Sequence, residues 1–384
     1  MSKPKWNIKE ITQKMEYVKE RLKNSVSETE RFSLNTALIT YIMMLQRSGN
    51  IRVKIYNFLN EFSTLKLKHE IEYKEAIDFR LLYLDTDEID EEYLAFLIEL
   101  AEIMNFEIKL DYQEFQKMDF SPEELISIST KLYQKYFDND EIMQLLYKIY
   151  DKNKNYVNFS GIKRDKRVAK EYGACFADHI FDESYVTLNG ENNLLDAVIL
   201  SHETMHGIEF YMNPRKEDKE YQGFHETASY TMNNLSHDFL EENGFNSEEI
   251  NQMRIMDMCM LTSSARHILA STKERLIREN KMQDSSNEIK ASDAEEYIMP
   301  FDILTFLEIQ SRVMAYKLYS DIKLNKEKGI NNLKKFMKMK LPKDKTPDFS
   351  SVGLSRKEIL EEARTLRKNY ERLKIDGEKK AINL

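Results

Sequence analysis

Apolar residues recur at helical spacing through the first part of the chain. Thr36 to Leu45, Tyr93 to Met104 and Ile142 to Tyr150 each carry an apolar face with charged positions between, the pattern of amphipathic helices. Ser121-Pro122-Glu123-Glu124-Leu125 reads as a helix start: a capping hydroxyl, a proline suited to the first turn, then acids. Residues 151–166 are polar and rich in turn formers, and read as a loop. The texture then changes. Tyr185-Val186-Thr187-Leu188-Asn189 concentrates β-formers, with acids before it and Gly190 after it, and is the best strand candidate. Asn193 to Phe210 reads as one apolar helix. Further helices are expected at about 222–242, 247–279, 294–324, 328–338 and 354–374, with polar loops at 281–293 and 341–353.

Composition supports this helical reading. Only 10 Gly and 6 Pro punctuate 384 residues, too few for the frequent turns of an all-β fold. Hydrophobic residues make up 41% and charged residues 32%, as in a highly charged globular protein. A net charge of −9 leaves no broad basic field, so nucleic acid is not an expected partner. No apolar run is long enough to span a membrane, and the N-terminus lacks the apolar core of a secretory signal. Cys175 and Cys259 lie far apart, outside any CxxC, and read as reduced thiols, so a cytoplasmic location is expected. Oligomeric state is not legible.

The chemistry concentrates in His202-Glu203-Thr204-Met205-His206. Residues four apart share a helical face, so both imidazoles can reach one zinc ion, while Glu203 can reach a water beside it without ligating. The expected work is hydrolysis: the metal acidifies a water and polarises a carbonyl, and Glu203 takes the proton as general base. A catalytic zinc site needs a third protein ligand. Glu226, twenty residues past His206, is separated from it by the loop Asn213 to Asp218. His225 and His237 compete for that role. Glu209, one turn beyond His206, is better suited to orienting a ligand or facing solvent.

Several further elements stand in order around this pattern: Gly173-Ala174-Cys175, the strand ending in Asn189, Asp196 ahead of His202, then Glu226-Thr227-Ala228-Ser229 and Asn233. Together the region from about 160 to 325 resembles the M3 metallopeptidases, the oligoendopeptidase F and thimet oligopeptidase group. The resemblance implies a mainly α, zincin-type fold with a small sheet beside an active-site cleft. It makes Glu226 the third ligand to one Zn2+, and lets the strand Tyr185 to Asn189 pair with an extended substrate. Residues 1–150 would then form a helical region on one side of the cleft and residues 151–384 the catalytic domain. Fewer residues precede His202 than is usual in that family, so a more open cleft is expected.

The family also places a His and one or two Tyr on a late helix, as donors to the developing oxyanion. The matching stretch here is Met299 to Gln310. Pro300, Phe306 and Gln310 fit, but Phe301 takes the His position and Leu307 and Ile309 take the Tyr positions. Tyr297, Tyr316 and His267 are candidate substitutes. The leading reading is thus a zinc endopeptidase acting on peptides or on a dedicated protein. The alternative is a zinc-binding pseudo-peptidase serving as a binding or regulatory module, and a third is a helical interaction protein with a coincidental HExxH.

Overall fold

A computed structural model describes residues 6–24, part of 34–45, 90–108, 114–138, 141–154, 156–159, 173–178, 180–188, 190, 193–213, 224–286, 288–298, 300–339 and 348–382. It is mainly helical, with one small sheet. The chain divides into two compact units, one formed by Met1–Asp78 with Glu114–Glu217, the other by Phe79–Gln113 with Asp218–Leu384.

The first unit is built on three strands. These are β1 (Val157–Asn158), β2 (Gly173–Asp178) and β3 (Glu183–Leu188), in the order β1-β3-β2. β1 runs parallel to β3, and β2 runs antiparallel to it. The strand expected at 185–189 therefore exists, two residues earlier at its start, with Asn189 outside the described residues. The turn-rich 151–166 segment, expected to be all loop, contributes β1. Side chains alternate across β3. Tyr185 joins a cluster with Trp6, Ile11, Val18, Leu38, Tyr41 and Phe176. The Trp6 ring stands edge-on to Phe176 and Tyr185, and its indole N–H donates to the Tyr156 carbonyl at 3.2 Å. This cluster docks helix α1 (Ile8–Asn24) and the described, helical residues of 34–45 onto one face. Buried Lys14 is paired with Glu183 and donates to the Tyr185 hydroxyl at 2.8 Å, so a charge taken out of water keeps its partners.

The other face of the sheet carries α5 (Leu195–Met212). Helices α3 (Pro122–Phe137) and α4 (Glu141–Ile149) pack against α5 as well. α3 opens with the expected cap: Ser121 Oγ accepts from Glu124 N, and the Glu124 carboxylate accepts from Ser121 N. A chain of hydroxyls crosses from these helices to α5. Tyr133 donates to the Ser201 carbonyl at 2.9 Å, Ser201 donates to Ser129 at 3.1 Å, and the Tyr150 hydroxyl bridges Ser129 and Thr204 at 2.8 Å each.

The second unit has α8 (Pro300–Leu324) at its centre. Around it pack α2 (Glu91–Met104), α6 (Glu226–Glu242), α7 (Ser247–Arg278), α9 (Lys326–Met337) and α10 (Arg356–Ile382). Asp90, Asn246 and Asn325 cap α2, α7 and α9. The predicted helix at 294–324 is interrupted: a turn at Ala291–Ala294 and a 3-10 turn at Glu295–Tyr297 precede α8. Buried Tyr93 donates to Gln310 Oε1 at 2.6 Å. None of the described helices is long and apolar enough to cross a membrane.

Tyr150→Phe should lower stability by about 1–3 kcal/mol, because Ser129 and Thr204 are buried and each loses a partner. Chemical denaturation of both proteins measures this, and an unchanged midpoint would show that the bridge contributes nothing.

Candidate metal centre

Helix α5 is apolar nearly all round, as a buried helix must be. Five of its half-exposed positions form one stripe: Leu195, Ile199, His202, Glu203 and His206. Their spacing of four, three, one and three keeps them near one face of a 3.6-residue helix. Ser201, Thr204, Met205 and Gly207, between and beside the polar positions, are buried. The stripe is thus the accessible face of an otherwise enclosed helix, and it carries the HExxH side chains.

The His202 and His206 rings lie 4.8 Å apart, nearly perpendicular, with Nε2 atoms separated by 3.2 Å. Two nitrogens about 2.0–2.1 Å from one tetrahedral ion stand about 3.3 Å apart. The pair is therefore already spaced as two ligands of one zinc ion. Glu226 opens α6, half-buried, with its Oε1 3.0 Å from His225 Nε2. One ligand atom each from His202, His206 and Glu226 lie within 4.8 Å of one another, a group that could hold a metal ion. Two imidazoles and a carboxylate suit zinc chemically.

The competing ligands take other places. His225 contacts the Glu226 carboxylate, where its ring can orient that group. His237 is buried, with Nδ1 unpartnered, and desolvation lowers its pKa against the pull of Asp257. Glu209 is buried and does not face solvent.

Gly173 explains how a strand reaches Glu203. A Cβ there would stand 2.6 Å from Ile199 Cγ2, 2.8 Å from Glu203 Cγ and 3.0 Å from Glu203 Oε1. Only a glycine lets β2 pass so close to the carboxylate. Two residues on, the Cys175 thiol lies 3.3 Å from Ser184 Oγ. Desolvation pushes that thiol up to about 12, the Ser184 hydrogen bond opposing and Glu203 and Glu209 adding to the rise. Cys175 is therefore a neutral packing group.

The expectation that the strand Tyr185, Val186, Thr187, Leu188 and Asn189 pairs with substrate meets a structural obstacle. β3 is the central strand. Val186 and Thr187 are matched by β1 on one side, and the whole strand is matched by β2 on the other. At Val186 and Thr187, matched on both sides, no ladder groups are left for a third chain. Among the described residues the outer side of β2 has no strand neighbour.

The three candidate donors stand on three elements. Tyr297 ends the 3-10 turn, its carbonyl accepting from Arg275 at 2.8 Å. His267 is exposed on α7. Tyr316 is on α8, where desolvation, with Tyr370 and Asp257 nearby, raises its pKa well above the usual phenol range. Leu307 and Ile309 are buried, and the Phe301 side chain lies outside the described residues. No sequence pattern singles out Tyr230, Glu308 and Arg312, which meet in the second unit: Arg312 donates to the Tyr230 hydroxyl at 2.8 Å and to Glu308 at 3.2 Å.

No protein-family model matches this sequence, and no curated protein matches it. Solved structures do. A candidate oligoendopeptidase F from Bacillus anthracis superposes with a TM-score of 0.51 at 12% identity, over 90% of this chain and 67% of its own. PZ peptidase A, solved with an inhibitor, gives 0.47 at 13% identity, over 91% of this chain and 70% of that one. At 12% identity the first likeness is one of fold, and this chain spans about two thirds of that protein's length.

Gly173→Ala should leave zinc stoichiometry unchanged, since the added methyl meets Ile199 and Glu203 and neither imidazole. It should lower stability by about 1–3 kcal/mol through overpacking. Metal analysis and a melting curve on the same preparation check both; loss of zinc would show that β2 positions the ligands too.

Proposed function

We propose that this chain is a zinc-dependent endopeptidase, with His202, His206 and Glu226 holding one zinc ion and Glu203 acting as general base. The observation that carries this reading is the pair of Nε2 atoms 3.2 Å apart on the accessible stripe of a buried helix, with Glu203 on the same stripe. A bound zinc ion supplies Lewis acidity, lowering the pKa of a water and polarising the scissile carbonyl. Glu203 then has a defined task. Its carboxylate accepts a proton from the attacking water and returns it to the leaving amine. Gly173 leaves that carboxylate room beside β2, and the outer edge of β2 offers backbone groups to an extended peptide. The substrate is a peptide or an extended segment of a dedicated protein. The shared fold with an oligoendopeptidase F is consistent with this chemistry.

A second reading is favoured by buried Leu307 and Ile309, which stand where the resemblance leads one to expect tyrosine donors. In that reading the chain keeps zinc for stability and serves as a binding module.

Glu203→Gln separates the two. In the endopeptidase, wild type and variant should both carry about one zinc per chain, and turnover should fall by at least about 100-fold on losing the base. Metal analysis and proteome-wide cleavage profiling of the two proteins check this. Cleavage that survives the change would overturn the role of Glu203. Stoichiometric zinc, a melting temperature lowered by chelator and no cleavage by wild type would instead establish the binding module.

A further inference from the structure

Helix α9 turns back onto α8 in the second unit. Gly329 seats it: a Cβ there would stand 2.5 Å from Ile322 N and 2.6 Å from Ile322 Cα, against the backbone of α8. Ile330, Leu333, Phe336 and Met337 are buried, and the Phe336 ring centre lies 5.6 Å from that of Phe349. The opposite face carries exposed Lys328, Asn331, Lys335 and Lys338, the last at the C-cap, with half-buried Lys334 among them. Steps of three, four and three hold these positions on one side of the helix. A surface depression of about 370 Å3 is lined by Asn331, Lys334, Lys335 and Lys338.

The charge on this face differs from that of the chain's other solvated helix faces. Elsewhere the signs are mixed: Lys19 and Lys23 of α1 pair with Glu16 and Glu20, and Arg278 and Arg367 pair with Glu274 and Glu371. Residues 323–345 hold nine lysines against Glu327 and Asp344, in a chain whose net charge is −9. Lys334 and Lys338 stand four apart, a like-charge spacing that costs helix stability. The helix dipole favours cations in the last turn, which accounts for Lys334 and Lys335, but it disfavours Lys326 and Lys328 in the first. Local helix stability therefore does not explain the pattern, whereas attraction to a negatively charged partner does.

The residue type narrows the partner. All the cations between 323 and 345 are lysine and none is arginine. The arginine fork grips individual carboxylates and phosphates, while lysine is a hydrated point charge suited to an extended field. A bilayer rich in anionic lipid presents such a field over a plane and attracts clusters of about four to eight basic residues. Leu324 adds an apolar element. It ends α8, directly after Lys323 and two residues before Lys326, and is 85% exposed. An aliphatic side chain beside lysines suits the boundary between headgroups and acyl chains. Nucleic acid, the other extended polyanion, is read by arginines and stacked on aromatic rings.

We propose that the lysine face of α9 docks the chain on an anionic lipid surface, with Lys328, Lys334, Lys335 and Lys338 toward the headgroups and Leu324 entering the acyl boundary. The contact is peripheral and electrostatic. Every residue in it belongs to the second unit, and the inference stands independently of the endopeptidase reading.

The full chain is floated with phosphatidylcholine vesicles, with and without about one third phosphatidylserine. Wild type should float with the anionic vesicles alone, and salt raised to about 0.5 M should release it. Each lysine near such a surface is worth about fivefold in affinity. The combined variant Lys328→Gln, Lys334→Gln, Lys335→Gln and Lys338→Gln should therefore bind at least about 100-fold more weakly, and Leu324→Ser about tenfold more weakly. Melting curves check that both variants fold; the combined variant, relieved of like-charge repulsion, should melt no lower than wild type. If it does not fold, Leu324→Ser and the salt response of wild type decide. Failure of wild type to float with anionic vesicles, equal flotation with neutral ones, or undiminished binding by the folded combined variant would overturn the proposal. So would displacement from the vesicles by a DNA duplex or polyglutamate at equal charge, which would point to an acidic macromolecule instead.

Discussion

The candidate site depends on one constraint. Two imidazoles must stand about a ligand-pair distance apart on a helix that is otherwise enclosed. A helix alone sets the four-residue spacing but leaves each ring free to turn. What fixes α5 is what surrounds it: the sheet on one side and α3 and α4 on others. Close approach is possible because the helix is small where it must be. A Cβ at Gly207 would meet Ser184 Oγ at 2.6 Å and Ile149 Cδ1 at 2.9 Å. Glycine in a helix interior costs about 1 kcal/mol relative to alanine, and here that cost is offset by packing against β3 and α4. The hydroxyl chain through Ser129, Tyr133, Tyr150, Ser201 and Thr204 adds direction, since hydrogen bonds constrain rotation where apolar contacts slide.

Much of this was legible in the sequence because it is local. The spacing of His202 and His206 is a property of one helix, and so is the Ser121 cap. The strand at 183–188 announced itself through Tyr, Val and Thr. β2 did not, because Gly-Ala-Cys-Phe-Ala-Asp is poor in β-branched residues; its place comes from pairing with β3. β1 is two residues inside a turn-rich segment, below what any periodicity can register. Strand order is a tertiary fact. For that reason the sequence could propose a substrate-pairing strand but could not say that β3 lies in the middle of the sheet and β2 at its side.

Charge is spent differently in the second unit. Buried carboxylates there are surrounded by cations and hydroxyls. Asp238 accepts from Arg254 at 2.9 Å, Tyr319 at 2.9 Å and Lys323 at 2.6 Å. Desolvation alone would raise its pKa, and these partners together depress it below the usual carboxylate range. Each such group is expensive to leave unpaired, so the cluster ties α6, α7 and α8 into one arrangement. Arg312 and Glu308 follow the same rule on α8, four residues apart. A chain with a net charge of −9 thus has local sites where a cation is held inside by design of its neighbours.

The positions along α8 divide into buried and half-exposed sets. Ile303, Phe306, Leu307, Ile309 and Gln310 are buried, whereas Thr305, Glu308 and Tyr316 are half-exposed. Arg312 falls four residues after Glu308 and four before Tyr316, so these polar groups share a stripe; Leu307 falls off it, and Ile309, four residues after Thr305, borders it but is buried. Aliphatic residues at those two positions therefore pack the interior of the unit rather than leave gaps beside the polar stripe. A tyrosine at 307 or 309 would place a hydroxyl among buried apolar groups, at a cost in desolvation, and would overpack them. The polar stripe instead reaches α6 through Arg312 and Tyr230, 82 residues apart in sequence. A polar contact of this kind joins residues far apart in sequence and becomes visible only when both helices are in place.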